Sequence, residues 1–441
     1  MAKAKSKKIM LEDAIVPVDE QPYHIPENWC WTRIKHVSDV VTGSTPSKKH
    51  AEYYGGDFPF FKPADLEAGD NVVEATEYLS EEGKNVSRII PKLSTAVCCI
   101  GSIGKTGLIR VEGTTNQQIN SMIPKINPLY LYYYSKSNVF IEELWNKSTA
   151  TTISLVNKKN METNTIPLAP QAEQKRIVEQ IESLFSKLDE AKEKAQEVID
   201  GYEARNAAVY NDAFSGRLTA QWRKDNYKEN KWETKRFDEV ADIKSNLVEP
   251  SNYLEFPHIA PDNIEKRTGI LLDYHTIAED GVKSRKHRFY AGQILYSKIR
   301  PYLSKVVMVD FDGLCSADMY PIEAKENTKY LLYYMLSDMF LEQASSAGSR
   351  SVLPKINQKE LSAIKVRITS DEEQKEVVRI LDYLLPMMQQ VRDKAVQVVD
   401  NIDTIKKSIL AKAFRGELGT NISEDESAME LLKIILNKGE C

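Results

Sequence analysis

Three short segments of the chain resemble parts of catalytic motifs. Residues 101–106 end like the phosphate-binding loop of ATPases, but that loop has four residues between its glycines and this segment has two. Residues 127–130 lack the second proline of the Asn-Pro-Pro-Tyr motif that holds the target amino group in adenine methyltransferases. Residues 323–325 end like a metal-dependent nuclease motif, but the nearest acidic companion, Asp318, lies only five positions upstream. These segments therefore predict no active site on this chain.

The histidines and cysteines also lack the spacing of a metal or disulfide site. The five cysteines form no Cys-X-X-Cys pair, and the six histidines show neither metal-ligand spacing nor an obvious nucleophile partner. We therefore expect no catalytic residue, metal or cofactor on this chain.

Two regions carry side chains that suit DNA. Arginine and lysine match guanine edges and phosphates, and asparagine and glutamine match adenine in the major groove. The candidate DNA-binding residues of the first half are Ser102, Lys105, Asn116, Gln117 and Gln118. Those of the second half are Lys283, Arg285, Lys286, Arg288, Lys298, Arg300, Tyr302, Lys305 and Arg350. The alternative for each loop is a solvated hairpin turn or a flexible solvent loop.

The segments that would position these loops are rich in short strands. Over residues 25–165 and 230–368, short apolar runs alternate with Gly, Pro, Asn and Ser, a pattern typical of strands and turns. One helix in each region, near 129–145 and 329–344, carries a cluster of tyrosines. The sequence thus predicts two mixed α/β domains.

An internal repeat relates the two halves of the chain at an offset of 200 residues. The Glu-Gln-Lys segment at 173–175 recurs at 373–375, and the segment at 213–218 recurs at 413–418 with its Ala, Phe, Gly and Leu in place. The tyrosine clusters obey the same offset. We therefore interpret the chain as two tandem copies of one unit.

A long helix is predicted after each domain. From Ile177 and again from Val377, apolar or small residues recur in alternating steps of four and three, which is the period of a coiled coil. Each helix would be about 50 Å long and would end at Gly216 or Gly416 with a left-handed cap. Pro386 predicts a kink in the second helix. Similar helices from one chain favour an antiparallel pair, and the alternative is that each packs into a separate globular core.

Composition places the chain among ordinary soluble proteins. Lys and Arg number 59 against 64 Asp and Glu, which gives a net charge of −5, and 42% of the residues are hydrophobic. Apolar runs fall short of the roughly 18 residues that a membrane span needs, and no signal-peptide segment is visible, so we expect a cytoplasmic protein. The acidic balance argues against nucleic acid in general. However, acidic residues are frequent in the predicted helices and tail, whereas the candidate loops are locally basic.

The chain from about 25 to 420 resembles the specificity subunit of a type I restriction-modification system. The resemblance rests on Ile-Pro-Glu-Asn-Trp at 25–29, on the helix opening at 170–177, on the helix closing at 213–218, and on their recurrence at 373–377 and 413–418. It implies an α+β fold with a pseudo-two-fold internal repeat. Two globular, mixed α/β target recognition domains would be joined by two long antiparallel helices that form a coiled coil.

On that basis the chain divides into seven parts. They are an N-terminal extension (1–24), target recognition domain 1 (25–168), central conserved helix 1 (169–218), a linker (219–231), target recognition domain 2 (232–369), conserved helix 2 (370–418) and a C-terminal tail (419–441). The N-terminal extension and the tail would either pack on a partner or be disordered. Residues 429–436 of the tail predict a short amphipathic helix, which favours contact with a partner.

The resemblance implies a DNA-binding subunit without catalytic activity. Each domain would read one half of a split, asymmetric site in double-stranded DNA, and the helices would set the spacer and hold two methyltransferase subunits. Restriction subunits would join through the complex, and S-adenosylmethionine, ATP and Mg would belong to the partner chains. The residues implied for setting the helices and docking partners are Glu173, Gln174, Lys175, Phe214, Gly216, Glu373, Gln374, Lys375, Phe414 and Gly416. The alternative is a coiled-coil scaffold or adaptor protein that does not bind DNA.

Overall fold

The computed structural model describes residues 10–149, 154–226, 228–229, 231–347 and 354–438. The chain forms two compact units, one of residues 1–193 with 398–441 and one of residues 194–397. Each unit contains one mixed domain and one segment of each long helical region.

The helices, in chain order, are α1 (Leu11–Ala14), α2 (Ile34–Val37), α3 (Glu81–Asn85), α4 (Pro128–Ser135), α5 (Asn138–Asn146), α6 (Lys158–Glu162), α7 (Gln171–Asp200), α8 (Tyr202–Ser215), α9 (Ala220–Asp225), α10 (Phe237–Val240), α11 (Thr328–Leu336), α12 (Asp338–Ala347), α13 (Gln358–Ser362), α14 (Asp371–Phe414) and α15 (Ala428–Lys438). Within the described ranges, none of these helices is long and apolar enough to cross a membrane.

The strands are β1 (Cys30–Arg33), β2 (Ser38–Thr42), β3 (Tyr54–Phe61), β4 (Glu77–Leu79), β5 (Thr95–Cys98), β6 (Thr106–Leu108), β7 (Thr114–Thr115), β8 (Ile119–Pro124), β9 (Thr165–Leu168), β10 (Glu233–Arg236), β11 (Ala241–Ile243), β12 (Leu247–Val248), β13 (Pro257–Ile259), β14 (His275–Thr276), β15 (Lys286–Phe289), β16 (Ile294–Ser297), β17 (Val306–Met308), β18 (Gly313–Cys315), β19 (Met319–Ala324) and β20 (Lys365–Ile368).

The sheets of the two domains follow one plan. In the first domain β1 pairs with β9, a four-stranded sheet has the order β2-β8-β5-β6, and a three-stranded sheet has the order β4-β3-β7. In the second domain β10 pairs with β20, and the four-stranded sheet has the order β11-β19-β16-β17. The third sheet there has five strands in the order β12-β15-β18-β13-β14. The second domain therefore extends this sheet with β15 and β12, and β15 carries two of the predicted DNA-binding residues, Lys286 and Arg288.

Each domain core is completed by the end of a helix that is distant in sequence. In the first unit, Phe414 at the end of α14 packs edge-on against Tyr130 and Tyr134 of α4, with ring centroids 5.1 and 5.0 Å apart. In the second unit, Phe214 at the end of α8 packs in the same way on Tyr330 and Tyr334 of α11, at 5.3 and 4.9 Å. Such perpendicular ring pairs are favoured by the aromatic quadrupole. The repeated phenylalanine thus fastens a helix end to a domain.

The helical segments run antiparallel inside each unit. In the first unit, Lys406 of α14 pairs with Asp189 of α7 at 2.5 Å, while Phe414 reaches the core that contains the earlier α7 residue Ile177. In the second unit, Arg392 lies 5.1 Å from the ring centroid of Tyr202, and Phe214 shares a core with Val377. Later residues of one helix therefore meet earlier residues of the other. The predicted α+β class and antiparallel pairing are confirmed.

The two helical regions differ in continuity. The first region was predicted as one helix, which is wrong: α7 ends at Asp200 and α8 begins at Tyr202. The break falls at Gly201, a residue type with poor helix propensity, and the Arg205 side chain donates a hydrogen bond to the carbonyl of Val198 beside it. In contrast, α14 continues unbroken through Pro386. Its 44 residues span about 66 Å, longer than predicted, and the kink at Pro386 stays a prediction.

The described segments nearest the two termini contribute to the core of the first unit. Ala14 near the N-terminus is buried, and Ala428, Leu432 and Ile435 of α15 are buried in the same core. The amide of Ala428 also donates to the carbonyl of Asn28 at 2.9 Å. The short helix predicted in the tail is confirmed, and part of its apolar face is buried against this chain. Contact of the tail with a partner stays a prediction.

Candidate nucleic-acid interface

The loop after β5 in the first domain has a fixed backbone. Gly101 and Gly104 both have left-handed backbone angles, with φ of 78° and 88°. The Lys105 ammonium pairs with Glu67 Oε1 at 2.7 Å, and this bond lowers the pKa of the Glu67 carboxyl. Ser102 is exposed at the tip of the loop. The loop therefore presents small polar groups, with its lysine already paired.

The amide-rich segment that follows divides its side chains between internal and exposed roles. Asn116 is buried, and its Nδ2 donates to Gln118 Oε1 at 3.0 Å. Gln117 is exposed, and its Oε1 accepts from the Thr45 hydroxyl at 2.5 Å. Gln117 is therefore the member of this predicted set that stands best placed to reach a ligand.

The added strand β15 of the second domain presents an arginine among aromatic rings. The Arg288 guanidinium lies 5.4 Å from the ring centroid of Tyr253, 5.9 Å from that of Phe256 and 4.9 Å from that of Tyr290. Within the described chain, its buried Nε has no hydrogen-bond partner. Stacked guanidinium groups are held in place yet keep donors free. Tyr253 and Phe256 were not predicted, since no sequence spacing links them to Arg288.

The other basic residues near β15 differ in availability. Lys286 is buried with its Nζ 2.7 Å from Ser284 Oγ, and burial lowers the pKa of its ammonium group. Arg285 is exposed and pairs with Glu249 at 2.5 Å. Lys283 is exposed. Lys286 is thus better suited to fix the local backbone, and Lys283 and Arg285 to meet solvent or phosphate.

The loop after β16 holds the remaining predicted cations. Lys298 Nζ donates to the carbonyl of Ala317 at 2.6 Å, and Lys305 Nζ donates to that of Pro261 at 2.7 Å. Arg300 and Tyr302 are exposed between them. The predicted residue Arg350 lies outside the described residues. Among the described residues of this loop, Arg300 is thus the cation left available.

Two buried glutamates fasten the helix starts to the segments that follow the helix ends. In the first unit, Glu173 Oε2 accepts from Trp29 Nε1 at 2.7 Å and from Asn421 Nδ2 at 2.8 Å. In the second unit, Glu373 Oε1 accepts from Trp232 Nε1 at 3.0 Å and pairs with Arg223. Charged acceptors make strong hydrogen bonds when buried. The glutamate of the Glu-Gln-Lys motif therefore links the start of one helix to the segment that follows the end of the other.

The neighbouring glutamines make equally regular contacts. Gln174 accepts from the amide of Asn127 at 3.1 Å, and Gln374 accepts from the amide of Asn327 at 3.2 Å. All four buried members of the motif, Glu173, Gln174, Glu373 and Gln374, are thus used inside the chain. Of the predicted docking residues in this motif, only the exposed Lys175 and Lys375 face solvent.

The helix ends carry the predicted left-handed glycines. Gly216 has φ of 81° and Gly416 has φ of 76°. A Cβ at Gly416 would come within 2.4 Å of Pro26 Cγ, and one at Gly216 within 2.8 Å of Trp232 Nε1. Glycine is therefore required at both positions by backbone angle and by space. We call the contact between Glu173 and Trp29, and that between Glu373 and Trp232, the clamp of each unit. The two tryptophans could have been found from the sequence, because each lies at a similar distance before its glutamate.

One face of α14 carries several exposed apolar side chains. Its large exposed side chains are Tyr383, Met387, Val391, Val398 and Ile405. They repeat at steps of four and seven, which places them on one face of the helix. We call this set the α14 stripe.

Comparison with known proteins places these features in a family. The family model of the type I restriction modification DNA specificity domain matches residues 26–199 and again residues 229–394. The chain is 38% identical to the type I restriction enzyme EcoDI specificity subunit of Escherichia coli, over 93% of this chain and 95% of that protein. It is 24% identical to the MjaIX specificity subunit of Methanocaldococcus jannaschii, over 89% and 94%. Its fold is similar to the crystal structure of the HsdS subunit from Thermoanaerobacter tengcongensis, with a TM-score of 0.68, 17% identity, and coverage of 91% of this chain and 100% of that one.

Proposed function

The chain belongs to the family of type I restriction-modification specificity subunits, and from this membership we propose that it directs a DNA-modifying complex to an asymmetric, two-part target. Recognition of target DNA is the general role of the family, and its specificity subunits are non-catalytic. For this chain, each domain reads one half of the site in double-stranded DNA. The cytoplasm is the compartment where this function would operate.

The main observation in support of the proposal is that two domains with similar sheet topology present different loops. The first offers an exposed serine and glutamine, Ser102 and Gln117, whereas the second offers Arg288 and Arg300 on an enlarged sheet and a longer loop. Guanidinium groups favour guanine edges and phosphates, and amides favour adenine. Unlike reading surfaces support unlike half-sites.

The methyltransferase partners dock on the helices in this proposal. The α14 stripe supports this, because several exposed apolar side chains on one face of a helix favour a protein interface. Two methyltransferase subunits bind there, and restriction subunits join through the complex. The partner chains bring S-adenosylmethionine, ATP and Mg, together with adenine N6-methylation and ATP-dependent cleavage. The base must leave the helix stack for such methylation, which is the partners' task.

The test of this function is the map of methylated adenines. In cells that contain the methyltransferase partner, we expect one split motif with unlike halves to be methylated when the chain is present and unmethylated when its gene is deleted. An unchanged methylation map would overturn the proposal.

The salt dependence of DNA binding distinguishes the proposed function from the alternative, a scaffold that binds only protein. Phosphate contacts release counterions, so affinity for duplex DNA falls steeply as salt rises. We expect such a slope for the full chain with its methyltransferase. A complex that does not bind duplex DNA at low salt would favour the scaffold.

Helix length is proposed to set the spacer between the half-sites. Residues 187–193 and 402–408 lie opposite each other in the first unit, as the Asp189–Lys406 pair shows. Deleting both segments removes one heptad from each helix and keeps the period of the seam. The expected result is a methylated motif with the same half-sites and a changed spacer, read from the methylation map. Altered half-site sequences would contradict the ruler.

A further inference from the structure

We propose that Arg300 is a DNA-contacting residue of the second domain with no counterpart in the first domain, where Gly101 takes its place. This inference rests on the proposed function. The contact is from the guanidinium to an acceptor oxygen or nitrogen of DNA, on a guanine edge or a phosphate.

Arg300 occupies the same place in its domain as Gly101 does in the first. The Gly101 amide donates to the carbonyl of Ser154 at 3.3 Å, and the Arg300 amide donates to that of Pro354 at 2.8 Å. Flanking hydrogen bonds correspond as well: the Val156 amide donates to Cys99, and the Ile356 amide donates to Lys298, both at 2.9 Å. The two loops therefore share one backbone plan, although the second is one residue longer.

Both residues have a left-handed backbone, and this conformation is less favourable for arginine than for glycine. Gly101 has φ of 78°, which glycine adopts freely, whereas Arg300 has φ of 47° and ψ of 59°. Side chains with a Cβ are disfavoured there, and the following proline, Pro301, disfavours helical backbone angles in the residue before it. Space among the described residues does not explain the glycine, because a Cβ at Gly101 would meet none of their atoms within 4 Å. Glycine would therefore fit position 300 with less strain than arginine.

At the other end of the loop, Ser304 has a strained backbone that contacts within its own domain explain. Ser304 also has a positive φ, of 44°. It is buried, its hydroxyl donates to the carbonyl of Met335 at 3.4 Å, and its carbonyl accepts from the Arg267 amide at 3.2 Å. Ser304 is thus anchored by its own chain.

Arg300 lacks such a reason. Its side chain is exposed, and no carboxylate or carbonyl of the described residues pairs with its guanidinium. The neighbouring cations Lys298 and Lys305 are bonded to carbonyls of their own domain. Strain held at a residue whose side chain has no partner among the described residues points to an external ligand. On a loop of a DNA-reading domain, that ligand is DNA.

The test uses changes in stability and binding that go in opposite directions. Arg300→Gly relieves the backbone and removes the guanidinium, so the full chain should melt about 2–4 °C higher and bind its wild-type methylated motif about tenfold more weakly. Arg300→Ala should bind equally weakly without the rise in melting temperature, because alanine keeps a Cβ in the left-handed region.

Ser304→Gly is the matched control. It changes the same backbone region but removes no candidate DNA contact, so binding should equal that of the wild type. If Arg300→Gly bound the motif as tightly as Ser304→Gly and left the methylation map unchanged, the inference would be wrong. If the wild-type complex itself bound no duplex, the proposed function would fail instead.

Two supporting outcomes identify the atom that Arg300 meets. Loss of discrimination at one base pair of one half-site indicates a guanine edge. A uniform loss of affinity, with a salt slope smaller by about one, indicates a phosphate.

Discussion

Phe414→Ala is expected to destabilise the first unit by about 3–5 kcal/mol, because a large aromatic side chain would leave a cavity in a closed core. Phe414 is 1% exposed and touches the rings of Tyr130 and Tyr134. Hydrogen exchange of the full chain is the measurement that shows where the loss occurs. The amides of α4 should exchange faster, although Phe414 lies more than 270 residues further along the chain.

The internal repeat supplies the control for this substitution. Phe214→Ala removes the equivalent side chain from the second unit and should accelerate exchange in α11 while sparing α4. Ile405→Ala, at an exposed position of α14, should change neither. If both phenylalanine variants loosened the same unit, the assignment of one helix end to each domain would be wrong.

The sequence predicted only in part which helix end packs on which domain. The heptad seams and the repeated Phe at 214 and 414 predicted two similar helices, and the preference for antiparallel pairing was correct. Which domain receives which phenylalanine depends on contacts between Phe414 and Tyr130, which no local pattern encodes. Sequence periodicity reports which residues are buried but not by what.

The residue types of the candidate DNA-binding loops were predictable from the sequence, but the exposure and conformation of each residue were not. Side-chain chemistry singled out Lys286 and Arg300 alike, because a sequence does not show which basic group its own chain will bury. The structure buries Lys286 beside Ser284 and exposes Arg300 in a left-handed conformation. An Arg-Pro pair gives no sign of that conformation. The helix break at Gly201 likewise has no clear signal in the sequence, because the heptad pattern continues across it.

The repeat of Glu-Gln-Lys was visible in the sequence, and the resemblance implied that it sets the helices and docks partners. The two lysines of the motif are exposed and stay available for the implied docking. The glutamates are buried because indole and amide donors from distant segments surround them. Trp29 and Trp232 therefore belong with the motif as parts of one clamp in each unit.

Glu373→Gln is expected to destabilise the second unit by about 3–5 kcal/mol, the cost of leaving a buried charge without its partner. Glu373 is 1% exposed, and its Oε1 accepts hydrogen bonds from Thr219, Trp232 and Arg223. A glutamine can place its one acceptor oxygen toward these donors, but that oxygen carries no negative charge. The largely buried Arg223 would then carry an uncompensated charge. Urea unfolding of the full chain measures the loss, and faster exchange of the α9 amides should accompany it.

The neighbouring glutamate is a matched control with the same chemistry in a different setting. Glu372 is exposed and pairs with Lys228 at 2.7 Å, so Glu372→Gln should leave stability essentially unchanged. Replacing Arg223 with methionine in the Glu373→Gln background should recover part of the loss, since the unpaired charge disappears. Equal effects of the two glutamate substitutions would show that burial of the clamp is not what closes the unit. A selective effect at Glu373, with recovery in the double variant, would make the clamp the element that joins the end of one helix to the start of the other.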